Sequence, residues 1–196
     1  MVSDSGKIWV IDNYDSFVFN LIHYVQITLP GLPLEVYRND DERLKHDPEC
    51  THLVISPGPG IPEESGYLVD FLKKVLSMSC PPRTFGVCLG MQALAIASGG
   101  KLKNLSRVYH GESTEIYFEG EQCLFDGLSS PLLVGRYHSW VVEDPGVSFR
   151  IIAQSSDGDT MAMIHKYKPI AGVQFHPESI LTPYGLQIIK NWFAQK

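Results

Sequence analysis

Residues 84–95 read TFGVCLGMQALA, and their reading decides the fold. A short β-branched and apolar run meets a cysteine flanked by glycines, and a row of helix formers follows. The pattern predicts a strand, a sharp turn at Cys88 and a helix beginning at Leu89. GVCLG (86–90) fits the nucleophile-elbow pattern G-x-S-x-G with cysteine in place of serine. Small flanking residues relieve the crowding of a tight strand-to-helix turn and let the central side chain project outward. At a helix N-terminus the dipole favours a thiolate, and the first free N–H groups, from Leu89 onward, can receive a developing oxyanion. A free cysteine at a turn is equally well a small buried core residue. This segment alone leaves both readings open.

Outward from this turn, strand-length apolar runs recur at 7–12 (KIWVID), 34–39 (LEVYRN), 52–56 (HLVIS) and 84–88 (TFGVC). Helix-length stretches separate them. Ser16 is the expected N-cap of a helix over 17–29 that Pro30 and Gly31 stop. Residues 64–78 carry an apolar stripe through Tyr67, Leu68, Phe71, Leu72, Val75 and Leu76. The helix after Cys88 should end at Gly99–Gly100. Such alternation predicts an α/β fold, an open and mostly parallel central sheet with helices on both faces.

The second half changes rhythm. Segments 113–118, 132–140, 149–155, 161–167 and 170–175 follow one another with short turns, and predict antiparallel strands added to that sheet. A closing helix is expected over 184–195. With neither repeat nor linker, residues 1–196 are expected to form a single domain.

In an open α/β sheet the reactive site lies at the carboxyl ends of the strands. Three unusual stretches fall there: SPGPGIP (56–62), GVCLG (86–90) and, within QFHPES (174–179), the segment HPES. His176 and Glu178 are two residues apart across Pro177, which is expected to keep the chain extended with both side chains on one side. Glu178 can then hold one ring nitrogen of His176 and leave the other for a thiol, a nucleophile–base–orienter arrangement. Gly58, Pro59 and Gly60 form a rigid loop whose N–H groups can approach a ligand closely. The loop lacks the Lys-Ser/Thr ending of a phosphate-binding loop. Each stretch also has an ordinary reading as a surface turn, and it is their convergence that carries weight.

Composition excludes other classes. A net charge of −6 argues against nucleic acid as a partner, and no apolar run is long enough to span a membrane. The opening MVSDSGKIWVID runs straight into a strand, without a secretory signal pattern. Cys50, Cys80, Cys88 and Cys123 form no CxxC pair and are expected to be reduced thiols in a cytoplasmic protein. His46, Cys50 and His52 cluster in HDPECTH, but no paired ligand spacing accompanies them; a polar loop is expected there rather than a metal site.

GVCLGMQ, QFHPES, SPGPGIP and the opening IDNYDSFVFN together resemble the class I, triad-type glutamine amidotransferases, from about Lys7 to the end of the chain. DNYDSF points to the chorismate-linked branch, the glutaminase subunits of anthranilate synthase and aminodeoxychorismate synthase. The resemblance implies a flavodoxin-like α/β fold and a Cys88–His176–Glu178 triad. Cys88 would attack the carboxamide of L-glutamine, with Leu89 and the loop Gly58, Pro59 and Gly60 as oxyanion hole. Gln92, Ser139 and Trp140 match the positions that hold the substrate glutamine. It implies no cofactor in this chain and a chorismate-using large subunit, component I of either synthase, as partner; any magnesium would belong to that subunit.

Two residues depart from the branch. Met91 stands where it commonly has His, and Glu112 where a basic residue is common. The alternative to a partnered glutaminase is a stand-alone γ-glutamyl hydrolase of the same architecture, active without a large subunit. A non-catalytic binding module is the reading from a different class, and the intact Cys88, His176 and Glu178 speak against it.

Overall fold

The computed structural model describes residues 6–119 and 123–194. The ends of the 1–196 domain expectation, the opening residues 1–5 and the last residue of the closing helix lie outside them. β1 (Ile8–Asp12), α1 (Val18–Thr28), β2 (Leu34–Arg38), β3 (His52–Ile55), α2 (Leu68–Ser77), β4 (Arg83–Val87) and α3 (Leu89–Ala97) make the alternating first half. β5 (Lys101–Asn104), β6 (Glu112–Tyr117), β7 (Leu132–Arg136), β8 (Trp140–Asp144), β9 (Phe149–Ser155), β10 (Thr160–His165), β11 (Ile170–Val173) and α4 (Gly185–Phe193) follow. Nine strands form one sheet in the order β2-β1-β3-β4-β11-β10-β9-β6-β7. The five from β2 to β11 are parallel and the rest are added antiparallel.

The alternation of side chains along the strands builds two cores. Ile8, Val10, Val54, Phe85 and Val87 point to the face covered by α1 and α4, where Leu21, Val25, Ile188 and Trp192 meet them. Trp9, Ile11, Leu53 and Ile55 point to the other face, against Leu68, Phe71 and Leu72 of α2 and Met91 and Leu94 of α3. A strand covered on both faces is apolar along its length, and all five residues of β1 are buried, the closing Asp12 being paired with Arg38 at 3.0 Å.

Several expectations need correction. Ser16 does not cap α1: the helix begins after Phe17 without a side-chain cap, and it is the Asp15 carboxylate that accepts the Phe17 N–H at 2.8 Å. The expected helix over 64–78 starts only at Leu68, because Pro62–Glu64 forms a separate short turn and Gly66 has a left-handed φ of +56°. Residues 132–140 are not one strand. The chain leaves the main sheet after Arg136, and β8 pairs instead with β5, a strand not anticipated, in a small second sheet. Residues 137–139 are thereby freed to line a cavity.

Candidate functional site

β3, β4 and β11 are neighbours and parallel, so the stretches that follow them emerge side by side at one edge of the sheet. Each is shaped by contacts that sequence alone dictates only in part. Cys88 sits between β4 and α3 with φ +51°, a left-handed conformation unusual for a side-chain-bearing residue. Its N–H donates to the Val173 carbonyl of β11 at 2.8 Å, and its carbonyl accepts the Gln92 N–H at 3.0 Å, starting the helix. The turn is possible because Gly90 lies hard against β3: a Cβ there would fall 2.5 Å from the Ile55 carbonyl oxygen. Strain of this kind is held in place by its surroundings and is typical of functional turns.

His176 and Glu178 are joined by a 2.7 Å hydrogen bond from ring Nδ1 to a carboxylate oxygen, both residues being buried. They meet across a turn rather than along an extended segment, because the Ser179 N–H donates back to the His176 carbonyl at 3.2 Å. The turn is fixed from three sides. The His176 N–H donates to Gly135 of β7, Thr182 donates its hydroxyl to the His176 carbonyl, and Gly185 at the start of α4 leaves no room for a side chain beside Pro177. Tyr137 packs its ring 4.8 Å from the imidazole, with Phe17 beyond it.

Burial, the largest single influence on His176, disfavours its imidazolium. Hydrogen bonding and charge from Cys88 and Glu178 together outweigh it and hold the group well above the ordinary imidazole value. Ring Nε2 is buried without a well-formed hydrogen bond of its own, although the Cys88 sulfur acts on it electrostatically. Such loose geometry is common at catalytic pairs before substrate arrives.

The sulfur opens into a cavity of about 160 Å³, and Gly58, Pro59, Gly60, Cys88, Gln92, Ser139 and Trp140 all line it. Leu89, first residue of α3, has no acceptor for its N–H inside the helix. Gly58 allows the neighbouring loop to come close: a Cβ there would stand 2.8 Å from the Leu89 side chain. Gln92 is buried and donates its amide to the Trp140 carbonyl at 2.8 Å and to Gln174 at 3.2 Å. A site of this size, lined by backbone and amide groups beside one thiol, suits a small polar amide rather than a macromolecule.

Residues not anticipated from sequence complete the surroundings of the thiol. Gln174, immediately after β11, reaches the Cys88 sulfur at 3.5 Å. His138 lines the cavity and accepts a hydrogen bond at Nε2 from Arg136 Nε at 3.0 Å. Its proton therefore sits on Nδ1 and is donated to the same Trp140 carbonyl at 2.9 Å. Burial first, and then the adjacent guanidinium, push His138 down to about 3. Arg136 is fully buried, paired with Asp159 at 2.7 Å and stacked 3.5 Å from the Tyr109 ring centroid. Gln174 and His138 were visible in the sequence only as the first residue of QFHPES and within RYHSW (136–140).

The two departures find their places. Met91 is on the side of α3 turned away from the cavity, packed on Gly172 of β11, where a Cβ would fall 2.7 Å from its Cγ. Glu112 pairs with Arg107 on the surface and does not line the cavity. Among the described residues no group of three or more His, Cys, Asp and Glu is disposed to hold a metal ion, and Cys50 is a half-buried thiol pushed up to about 12 by burial. No helix among the described residues is long and apolar enough to cross a membrane.

A thiol at a strand-to-helix elbow, beside a carboxylate-held histidine at the ends of a parallel sheet, defines the site of a cysteine-dependent acyl-transfer fold. The chain belongs to the class-I glutamine amidotransferase family, whose model matches residues 9–196. It is 46% identical to the chloroplastic anthranilate synthase beta subunit 2 of Arabidopsis thaliana, over 98% of this chain and 72% of that protein. With the aminodeoxychorismate/anthranilate synthase component 2 of Bacillus subtilis it shares 40%, over 94% of each. A bifunctional protein TrpGD of Thermotoga maritima is 45% identical, and the chain spans only 32% of its length. A crystal structure from Thermoplasma acidophilum, described as that of a GMP synthase subunit, superposes with a TM-score of 0.82 and 26% identity, covering 97% of this chain and 93% of that one.

Proposed function

We propose that this chain is the glutaminase subunit of a chorismate-using synthase, and that residues 1–196 act as one amidotransferase domain. The observation that carries the chemistry is the buried His176–Glu178 pair set against Cys88 at the elbow. Cys88 attacks the carboxamide carbon of L-glutamine while His176 takes the thiol proton. The Leu89 N–H and the loop Gly58, Pro59 and Gly60 hold the resulting oxyanion. Collapse breaks the C–N bond, and His176 hands its proton to the departing ammonia. Glu178 keeps the ring oriented and favours its protonated form. Water then attacks the γ-glutamyl thioester, restores the thiol and releases glutamate. Gln92, Ser139 and Trp140 hold the amino acid end of the substrate.

The component 2 and beta-subunit relatives support a larger synthase chain as partner, component I of anthranilate or aminodeoxychorismate synthase. Ammonia is largely ammonium at neutral pH and a poor nucleophile, so direct delivery between subunits has a physical reason. The chain needs no cofactor for this chemistry, any magnesium would be held by the partner, and the reading fits a cytoplasmic protein without nucleic acid or membrane contacts. Cys88→Ser should abolish glutamine-dependent synthesis in the complex and leave ammonium-dependent synthesis intact. Retained use of glutamine by that variant would sink the assignment. Glutamate release with and without the large subunit separates this reading from a stand-alone hydrolase.

A further inference from the structure

DNYDSF contains a residue that the proposed chemistry does not use. Asn13 follows β1, and β1 and β3 flank the switch point of the sheet, where the strand order reverses and a crevice opens. Here Asn13 ties the two strand ends together beside an open hollow that it lines with Asn39 and Pro59. The Asn13 N–H donates to Ser56 Oγ at 2.9 Å, and its amide nitrogen donates to the Ser56 carbonyl at 2.8 Å. Asn39 donates to the amide oxygen at 3.1 Å. The Ser56 hydroxyl donates a hydrogen bond to the Pro57 carbonyl at 2.6 Å, so the fastening reaches into the loop itself. Asn13 is buried, and both ends of its amide are engaged.

The contact one step further is steric. A Cβ on Gly58 would fall 2.5 Å from Asn13 Cβ and 2.6 Å from the Asn13 carbonyl oxygen, besides the close approach to Leu89. The Gly58 backbone is thus wedged between Asn13 and the first residue of α3. The chain accepts strain to present Asn13 this way. Tyr14 has φ +61°, its ring lies 4.5 Å under the Arg38 guanidinium, and its hydroxyl donates to Asp40.

We propose that Asn13 is a positioning residue that sets the 57–60 loop against the Leu89 N–H, and so fixes the spacing of the two halves of the oxyanion hole. This rests on the glutaminase reading above. Asn13 does not line the cavity beside Cys88; it acts through Ser56 and Gly58. Gln92, Ser139 and Trp140 lie on other walls, so ground-state binding should be spared, while an oxyanion forms only as the carbonyl is attacked.

Asn13→Asp keeps the shape and turns the donor toward Ser56 into an acceptor. We expect kcat for glutamate release to fall by about tenfold or more with KM within about twofold, since small misplacements of catalytic groups are costly. Alkylation of Cys88 by iodoacetamide passes through no tetrahedral oxyanion, and its rate should stay within about twofold, a split that general damage to the elbow would not produce. Unchanged kcat, or kcat and alkylation falling together, overturns the inference. If Asn13→Asp does not fold, Ser56→Ala removes both hydrogen bonds of Oγ and keeps the one from the Asn13 amide to the Ser56 carbonyl, and the same split at about threefold in kcat decides the matter. Glutamate release that survives Cys88→Ser defeats the glutaminase reading instead. A wild-type enzyme that requires Cys88 beside fully active Asn13 and Ser56 variants defeats only this inference.

Discussion

Two buried histidines stand in different walls of the site, His138 lining the cavity itself and His176 against the Tyr137 ring, and their surroundings push them in opposite directions. His176 meets a carboxylate and a thiol, and is raised despite its burial. His138 meets a guanidinium, and burial and charge together press it down to about 3. Burial is common to both, so the sign of the neighbouring charge decides which can carry a proton near neutral pH. In the proposed chemistry the first moves a proton between sulfur and ammonia. The second is a fixed dipole, holding the Trp140 carbonyl with one nitrogen and answering Arg136 with the other.

Removing the charge from the first wall should have the largest effect. Glu178→Gln keeps an acceptor for His176 Nδ1 but withdraws the negative charge. We expect glutamate release to slow by about 10³-fold, equivalent to about 4 kcal/mol, within the range for general acid–base groups. The His176 titration, followed by NMR, should move to lower pH. A variant within about twofold of wild type, or a titration that stays in place, would remove the contrast between the walls.

On the other wall the corresponding charge is structural. Asp159→Asn leaves the Arg136 guanidinium fully buried without its counter-ion, and one of its nitrogens, Nη1, already has no hydrogen-bond partner. Breaking a buried pair from one side typically costs about 3 kcal/mol, which denaturant unfolding will detect. Asp157→Asn, at an exposed carboxylate two residues away, should change stability by less than about 0.5 kcal/mol. Equal effects would mean that the pair does not hold this wall.

These walls were unequally legible in the sequence. The thiol, the histidine and its carboxylate sit in short local patterns, where glycines beside Cys88 and a proline after His176 punctuate the chain. The Arg136–His138 wall depends on partners far along the chain, Asp159 and Tyr109, which no local periodicity can announce. Residues 132–140 read as one strand because LLVGRYHSW is apolar or aromatic at enough positions to sustain it. The strand breaks because Tyr137 packs on His176 and His138 answers Arg136, contacts that exist only once the fold has closed. The same holds at the start of α1, where Ser16 and Asp15 have similar capping chemistry and Asp15 has the position that reaches the Phe17 N–H. The parallel neighbours β3 and β4 were within reach of the alternation of elements, whereas the parallel insertion of β11 beside β4, its segment being expected among the antiparallel strands, and the separate β5–β8 sheet, built from four- and five-residue strands, were not.

The last test is the dependence of stability on pH, where the two histidines differ in sign. A folded-state value raised above the unfolded one, as at His176, contributes stability below the unfolded value near 6.5 and loses it as pH rises through the folded one. His138 is the reverse case. The unfolded chain takes up a proton below about 6.5 while the folded protein refuses it until about 3, so stability falls as pH drops across that window. One such proton is worth at most about 1.4 kcal/mol per pH unit. His138→Gln offers Arg136 an acceptor and the Trp140 carbonyl a donor, without a titrating group. Unfolding free energy measured between pH 6.5 and 4 should therefore slope less steeply in the variant than in the wild type. Some slope should remain, because His165 is also lowered, by burial and by Lys168 and Lys166, and acts with the same sign. An unchanged slope would show that His138 is not held neutral, and with that the opposition of the two walls would fail.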